Sequence, residues 1–181
     1  MMKYHYLKKY INKRPDDGVM NNWFIPIPNY IEEILQAEKK ASIIFPTSLK
    51  TFWKEVGSGQ IIRSYYQKLP QSSECYIRNY IFDPETLGNY KEFDGSVAGD
   101  YAILDDYGIE MITEKGYFPF FEIGDSSSFL WMKTGSDSVY NELEKVVEEH
   151  FEDFIYKLYH VHPQYYLFTE EELKEELDKT K

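Results

Sequence analysis

The sequence predicts an α+β fold, and three observations carry that expectation. Apolar residues recur at helical spacing toward both ends of the chain. From about residue 61 the period shortens, and β-branched and aromatic runs alternate with turn residues. Between 100 and 133 the turn signals fall at the spacing of an antiparallel meander, roughly every 8 to 12 residues. The chain has 181 residues, enough for one ordinary domain, and 43% of them are hydrophobic, enough for a core.

Taken in order, residues 3–13 place Tyr4, Leu7 and Ile11 among lysines, which predicts a short amphipathic helix ended by Asp16, Asp17 and Gly18. Trp23-Phe24-Ile25-Pro26-Ile27-Pro28 cannot be helical, because each proline lacks an amide donor and biases its predecessor toward extended backbone. It is expected as an arm laid against the domain. Asn29 followed by Glu32 has the pattern of a capping box before a helix over 30–41, with Ile31, Ile34 and Leu35 on one side. Pro46 suits a first helical turn, and Leu49, Phe52, Trp53 and Val56 then follow at helical spacing until Gly57 and Gly59. Residues 61–66 and 75–82 are expected as paired strands. Asp83-Pro84-Glu85 combines an N-cap, a first-turn proline and a first-turn acid, which predicts a helix over 84–93.

Strands are expected at 101–104, 109–113, 117–123 and 129–132, with Asp105 and Asp106 capping one end of the meander. Over 139–159, Val139, Leu143, Val146, Val147, Phe151, Phe154, Ile155 and Leu158 fit one face of a long helix. Thr169 with Glu172 is a second capping box, opening a charged helix whose apolar face is only Leu173 and Leu177.

Composition narrows the function classes. The aromatic content of 18% is foreign to a disordered acidic chain. No apolar run approaches the roughly 20 residues of a membrane span, and the N-terminus lacks the apolar stretch of a secretory signal, so a soluble cytoplasmic protein is expected. Cys75 is the only cysteine, which excludes an internal disulfide and a cysteine-based zinc site. Net charge is −11 and uneven: residues 1–68 hold 11 basic against 6 acidic residues, residues 69–181 hold 9 against 25. Such a surface repels a phosphate backbone and favours fast encounter with a basic protein.

Catalytic signals are weak. Gly124-Asp125-Ser126 resembles a hydrolase nucleophile turn, but no histidine stands in a compatible pattern toward the C-terminus, and a strand-connecting turn accounts for it better. His160 and His162 alternate and would share a side of an extended segment, yet a metal site needs three or four ligands and no third stands at recognisable spacing. With 31 acids, candidate glycosidase pairs carry no information. Gly57-Ser58-Gly59 is too short for a phosphate loop and follows a helix instead of preceding one. No cofactor and no metal are expected. Trp53 stands on an apolar helical face, where core packing competes with a role at the edge of a groove.

The order of the motifs resembles the SUKH superfamily of the Smi/Knr type. Ile31-Glu32-Glu33-Ile34 through Glu38, then Phe45-Pro46-Thr47-Ser48-Leu49-Lys50-Thr51-Phe52-Trp53 and Gly57-Ser58-Gly59, resemble its opening signature. Tyr80 to Leu87, Phe118-Pro119-Phe120 with Ile123-Gly124-Asp125, Phe129-Leu130-Trp131-Met132, Val139-Tyr140 and Phe151 to Leu158 follow in the family's order. Ile44-Phe45 replaces the more usual leucine before the proline, and the turn after Gly124 is serine-rich. The resemblance spans 29–160, leaving 1–28 as an extension of helix and arm and 161–181 as a charged helical tail.

It implies N-terminal and C-terminal helices packed on a curved antiparallel sheet, a short strand at 139–142 and a helix starting near 144. It also implies a non-enzymatic immunity protein that neutralises a polymorphic toxin domain, possible targets including nucleases, or else a module similar to a yeast regulator of cell-wall glucan synthesis. A basic toxin would be met by Asp105, Asp106, Glu110, Glu122 and Asp125, with Trp53 and Tyr107 as aromatic anchors.

Overall fold

A computed structural model describes residues 3–13, 22–61, 79–89, 110–112, 114–123 and 128–178. Its strands are β1 (Trp23–Ile25), β2 (Ser58–Ile61), β3 (Asn79–Ile81), β4 (Tyr117–Ile123), β5 (Ser128–Lys133), β6 (Val139–Tyr140) and β7 (Val146–Glu148). They form one open, curved, antiparallel sheet of seven strands in sequence order. The helices are α1 (Tyr30–Ala41), α2 (Thr47–Glu55), α3 (Pro84–Asn89), α4 (Phe151–His160) and α5 (Glu170–Asp178). The molecule is therefore α+β, as its alternating periods predict.

The first segment is a 3-10 helix, His5–Tyr10, in place of the expected α-helix. Its buried residues Leu7 and Tyr10, with the buried Tyr4 that precedes it, are three apart, the period at which 3-10 side chains eclipse. Ile11 bridges Phe24, and the Asn12 amide donates to the Phe24 carbonyl at 2.8 Å. The arm after it is an integral strand, since Trp23, Phe24 and Ile25 pair with Gln60, Gly59 and Ser58. Gly57 and Gly59 make that pairing possible. Both have positive φ, and a Cβ would lie 2.1 Å from the Ile25 carbonyl oxygen at Gly57 and 2.3 Å from that of Trp23 at Gly59.

α1 has the predicted bounds but a different start. Asn29 adopts a left-handed conformation, and its carbonyl, not its side chain, accepts from the Glu32 and Glu33 amides. Glu32 accepts instead from Gln36, so the capping box is not formed. Of the three aliphatic residues expected to share a side, only Ile34 is buried; Ile31 is 71% exposed and Leu35 60%. At the far end, Glu38 accepts from the Phe45 amide at 2.8 Å and pairs with Lys50 at 2.6 Å, tying α1 to the turn before Pro46 and to α2.

Pro119 in β4 marks the largest irregularity. A proline cannot donate to the ladder, and the register against β5 shifts between Pro119 and Phe121. The shift sends Phe120 and Phe121 toward the same helix: their rings lie 5.8 and 5.2 Å from Phe154 of α4. Phe52 of α2 and Phe151 of α4 close this core 5.7 Å apart. Truncating one such buried phenylalanine to alanine typically costs about 3–5 kcal/mol.

Two later expectations change. Residues 110–112 are helical where a strand over 109–113 was expected; 109 and 113 lie outside the described residues. In 139–159, neither one long helix nor a helix from 144 is formed. A hairpin of β6 and β7 comes first, and α4 begins at Phe151. The expected strands at 62–66, 75–78 and 101–104 and the end of the 84–93 helix lie outside the described residues.

Candidate protein-interaction surface

Trp53 is 1% exposed, and its indole N–H donates to the Phe82 carbonyl at 2.9 Å. Phe45 meets it edge to face at 5.0 Å. The helical stripe that carries it faces inward, so this side chain belongs to the core and offers no surface to a partner. Glu122 lies on β4, between Tyr80 of β3 and Phe129 of β5 in the ladder, half-buried. Glu110 is also half-buried and pairs with Lys115 at 3.1 Å. Asp105, Asp106, Tyr107, Asp125 and Ser126 lie outside the described residues.

Lys115 connects Glu110 to an acidic element that periodicity had hidden in a helix. Its ammonium lies 2.8 Å from Glu144, and the bonds to Glu144 and Glu110 raise its pKa above the usual lysine value. Glu144 belongs to the β6–β7 turn, where Asn141 Oδ1 accepts from the Leu143 and Lys145 amides at 3.0 Å each. That Asx geometry lets Glu144 take a positive φ of 58°. Glu142, Leu143, Glu144, Lys145 and Val146 are exposed, Leu143 at 71%. Below them Glu148 is anchored by Lys157 at 2.6 Å and by the Tyr165 hydroxyl at 3.1 Å. Burial, then the Glu148 carboxylate, pushes the Tyr165 phenol well above its ordinary range. Beside the short strand at 139–142 that the resemblance implies, the sequence marks this turn through Asn141, a residue that favours turns over helix interiors.

The histidines separate. His160 ends α4, exposed, with its ring 4.3 Å from Tyr156, whereas His162 is buried and its Nδ1 accepts from the Gln164 amide. Among the described residues there is no cluster of three metal-ligating side chains, and no helix is long and apolar enough to cross a membrane. What the turn presents is Glu142 and Glu144 with the exposed aliphatic side chains of Leu143 and Val146 between and beside them, together with Lys145 and the Lys115 that pairs with Glu144.

Residues 31–157 match the model of the family SUKH_6, described as SMI1-KNR4 cell-wall. No curated protein and no solved structure matches the chain.

Proposed function

Since this chain belongs to the SUKH superfamily, in the family described as SMI1-KNR4 cell-wall, we propose that it is a non-enzymatic immunity protein that binds and neutralises a basic toxin domain. The family match over 31–157, most of the sheet and its helices, carries this reading. Charge supports it: residues 69–181 hold 25 acids against 9 bases, the balance that speeds encounter with a cationic enzyme. In this reading Asp105, Asp106, Tyr107, Glu110, Glu122 and Asp125 meet the toxin, and Lys115 joins Glu110 to Glu144 of the β6–β7 turn. Trp53 supports that surface only through the core.

Co-expression with the C-terminal domain of a toxin encoded beside it tests the proposal. Rescue of growth, with a stable complex of the purified components, is the expected result. The family description favours a second reading, a regulatory interaction module in cell-wall synthesis. Failure of rescue and of binding across every neighbouring candidate toxin would favour that module.

A further inference from the structure

The segment 3–13 contrasts in charge with the chain as a whole. It holds Lys3, Lys8, Lys9 and Lys13 and no carboxylate, in a chain of net charge −11. Its 3-10 helix lies on α4 and gathers aromatic rings at the surface. Tyr6 is 5.1 Å from Tyr159, 4.9 Å from His160 and 6.3 Å from Tyr156. Tyr156 is 52% exposed, the Lys9 ammonium lies 6.0 Å from the Tyr159 ring, and Lys8, Lys9 and Lys13 are all exposed on the same segment. Exposed tyrosines give apolar contact area at low entropic cost, and lysines beside them select an anionic partner.

The chain itself carries a complementary element. α5 holds Glu170, Glu171, Glu172, Glu175, Glu176 and Asp178 against Lys174 and has no buried residue. Glu171 and Glu175 are exposed one helical turn apart, opposite the half-buried Leu173 and Leu177. We propose that two copies of this chain pair, with the acidic face of α5 from one copy seated on the basic, tyrosine-lined patch of the other. A two-fold axis repeats the contact, so each dimer contains it twice.

Each copy also carries −11, and this long-range repulsion opposes pairing at low ionic strength. At about 0.15 M salt the Debye length is about 8 Å, so the repulsion is screened while touching charges still attract. Dimerisation should therefore strengthen from low to physiological salt and weaken again beyond it. That profile separates this contact from an apolar interface, which salt does not weaken.

Sedimentation velocity over a range of concentrations reads the result against a monomer of 21.6 kDa. The wild type should form a reversible dimer. Lys8→Glu with Lys13→Glu, or Glu171→Lys with Glu175→Lys, should each weaken it by about tenfold or more. Mixing the two double variants should restore a heterodimer. Tyr156→Ala should weaken pairing without moving the circular dichroism spectrum. A wild type that stays monomeric at every concentration and salt would overturn the proposal. So would a dimer indifferent to Lys8 and Lys13, or a mixture that fails to pair. Toxin neutralisation is scored separately, since it does not depend on this contact.

Discussion

Trp53 places its indole where Phe45 and Phe82, the residue just past the end of β3, converge, and its single donor reaches the Phe82 carbonyl. Trp53→Phe removes that bond and leaves a void, so unfolding free energy should fall by about 2–3 kcal/mol. Partner affinity per folded molecule should be unchanged. A variant of wild-type stability that has lost its partner would place the indole at the interface instead. Glu38 acts on the same scale. The acid near the end of a helix and the Phe-Pro pair after it are one device, because the Glu38 carboxylate holds the Phe45 amide and Lys50 together. The motif was visible in the sequence; the bond that explains it was not.

Elements were legible where one local force dominated. α2 follows its apolar stripe and its glycine stop, and α3 follows Asp83, whose carboxylate accepts from the Thr86 amide at 2.7 Å. The second capping box forms in both directions. Glu172 accepts from the Thr169 amide at 2.8 Å and hydroxyl at 2.9 Å, and the Glu172 amide donates to the Thr169 hydroxyl at 3.3 Å. The Thr169 donors lower the Glu172 pKa below the ordinary carboxylate value. The folded value is the lower one, so the stabilisation is complete above the unfolded value, about 4.3, and is lost as pH falls through the folded value. Acid titration followed by NMR should show Thr169 losing its amide protection in that window, and Glu172→Gln should abolish the step. A titration identical in the variant would remove the cap from the account.

The failures have physical causes of the same size as the successes. Asn29 tolerates left-handed backbone, and that choice displaced its side chain from the capping position. The apolar residues of 139–159 serve two elements, a hairpin and a helix, and their combined spacing imitates one helix. In 3–13, Tyr4, Leu7 and Tyr10 fit a period of three, but Ile11 made the pattern look α-helical. The proposed interaction surface was least legible, since charge pattern names a sign without naming which strand or turn presents it.

At the scale of the molecule, the surplus of acid after residue 69 acts as a field before it acts as contacts. Replacing Asp105 and Asp106 with lysine should slow association with a basic toxin by about tenfold at low salt, with dissociation little changed. The dependence of the association rate on salt should become shallower, because less charge remains to be screened. Stopped-flow kinetics at about 0.05 and about 0.5 M salt measures both effects. Equal association rates for wild type and variant would move the interface elsewhere.

A sheet whose strands pair in sequence order can be assembled in the order in which the ribosome delivers it, each strand finding the previous one already made. The segment that precedes β1 is the exception. Its Tyr10 hydroxyl meets that of Tyr159 at 3.3 Å across 149 residues, and Lys3 pairs with Glu152 over the same separation. Its contacts with α4 must therefore wait for residues made 149 positions later, and until α4 emerges the growing chain holds this segment only through its earlier contacts, Ile11 with Phe24 and Tyr4 with Phe52.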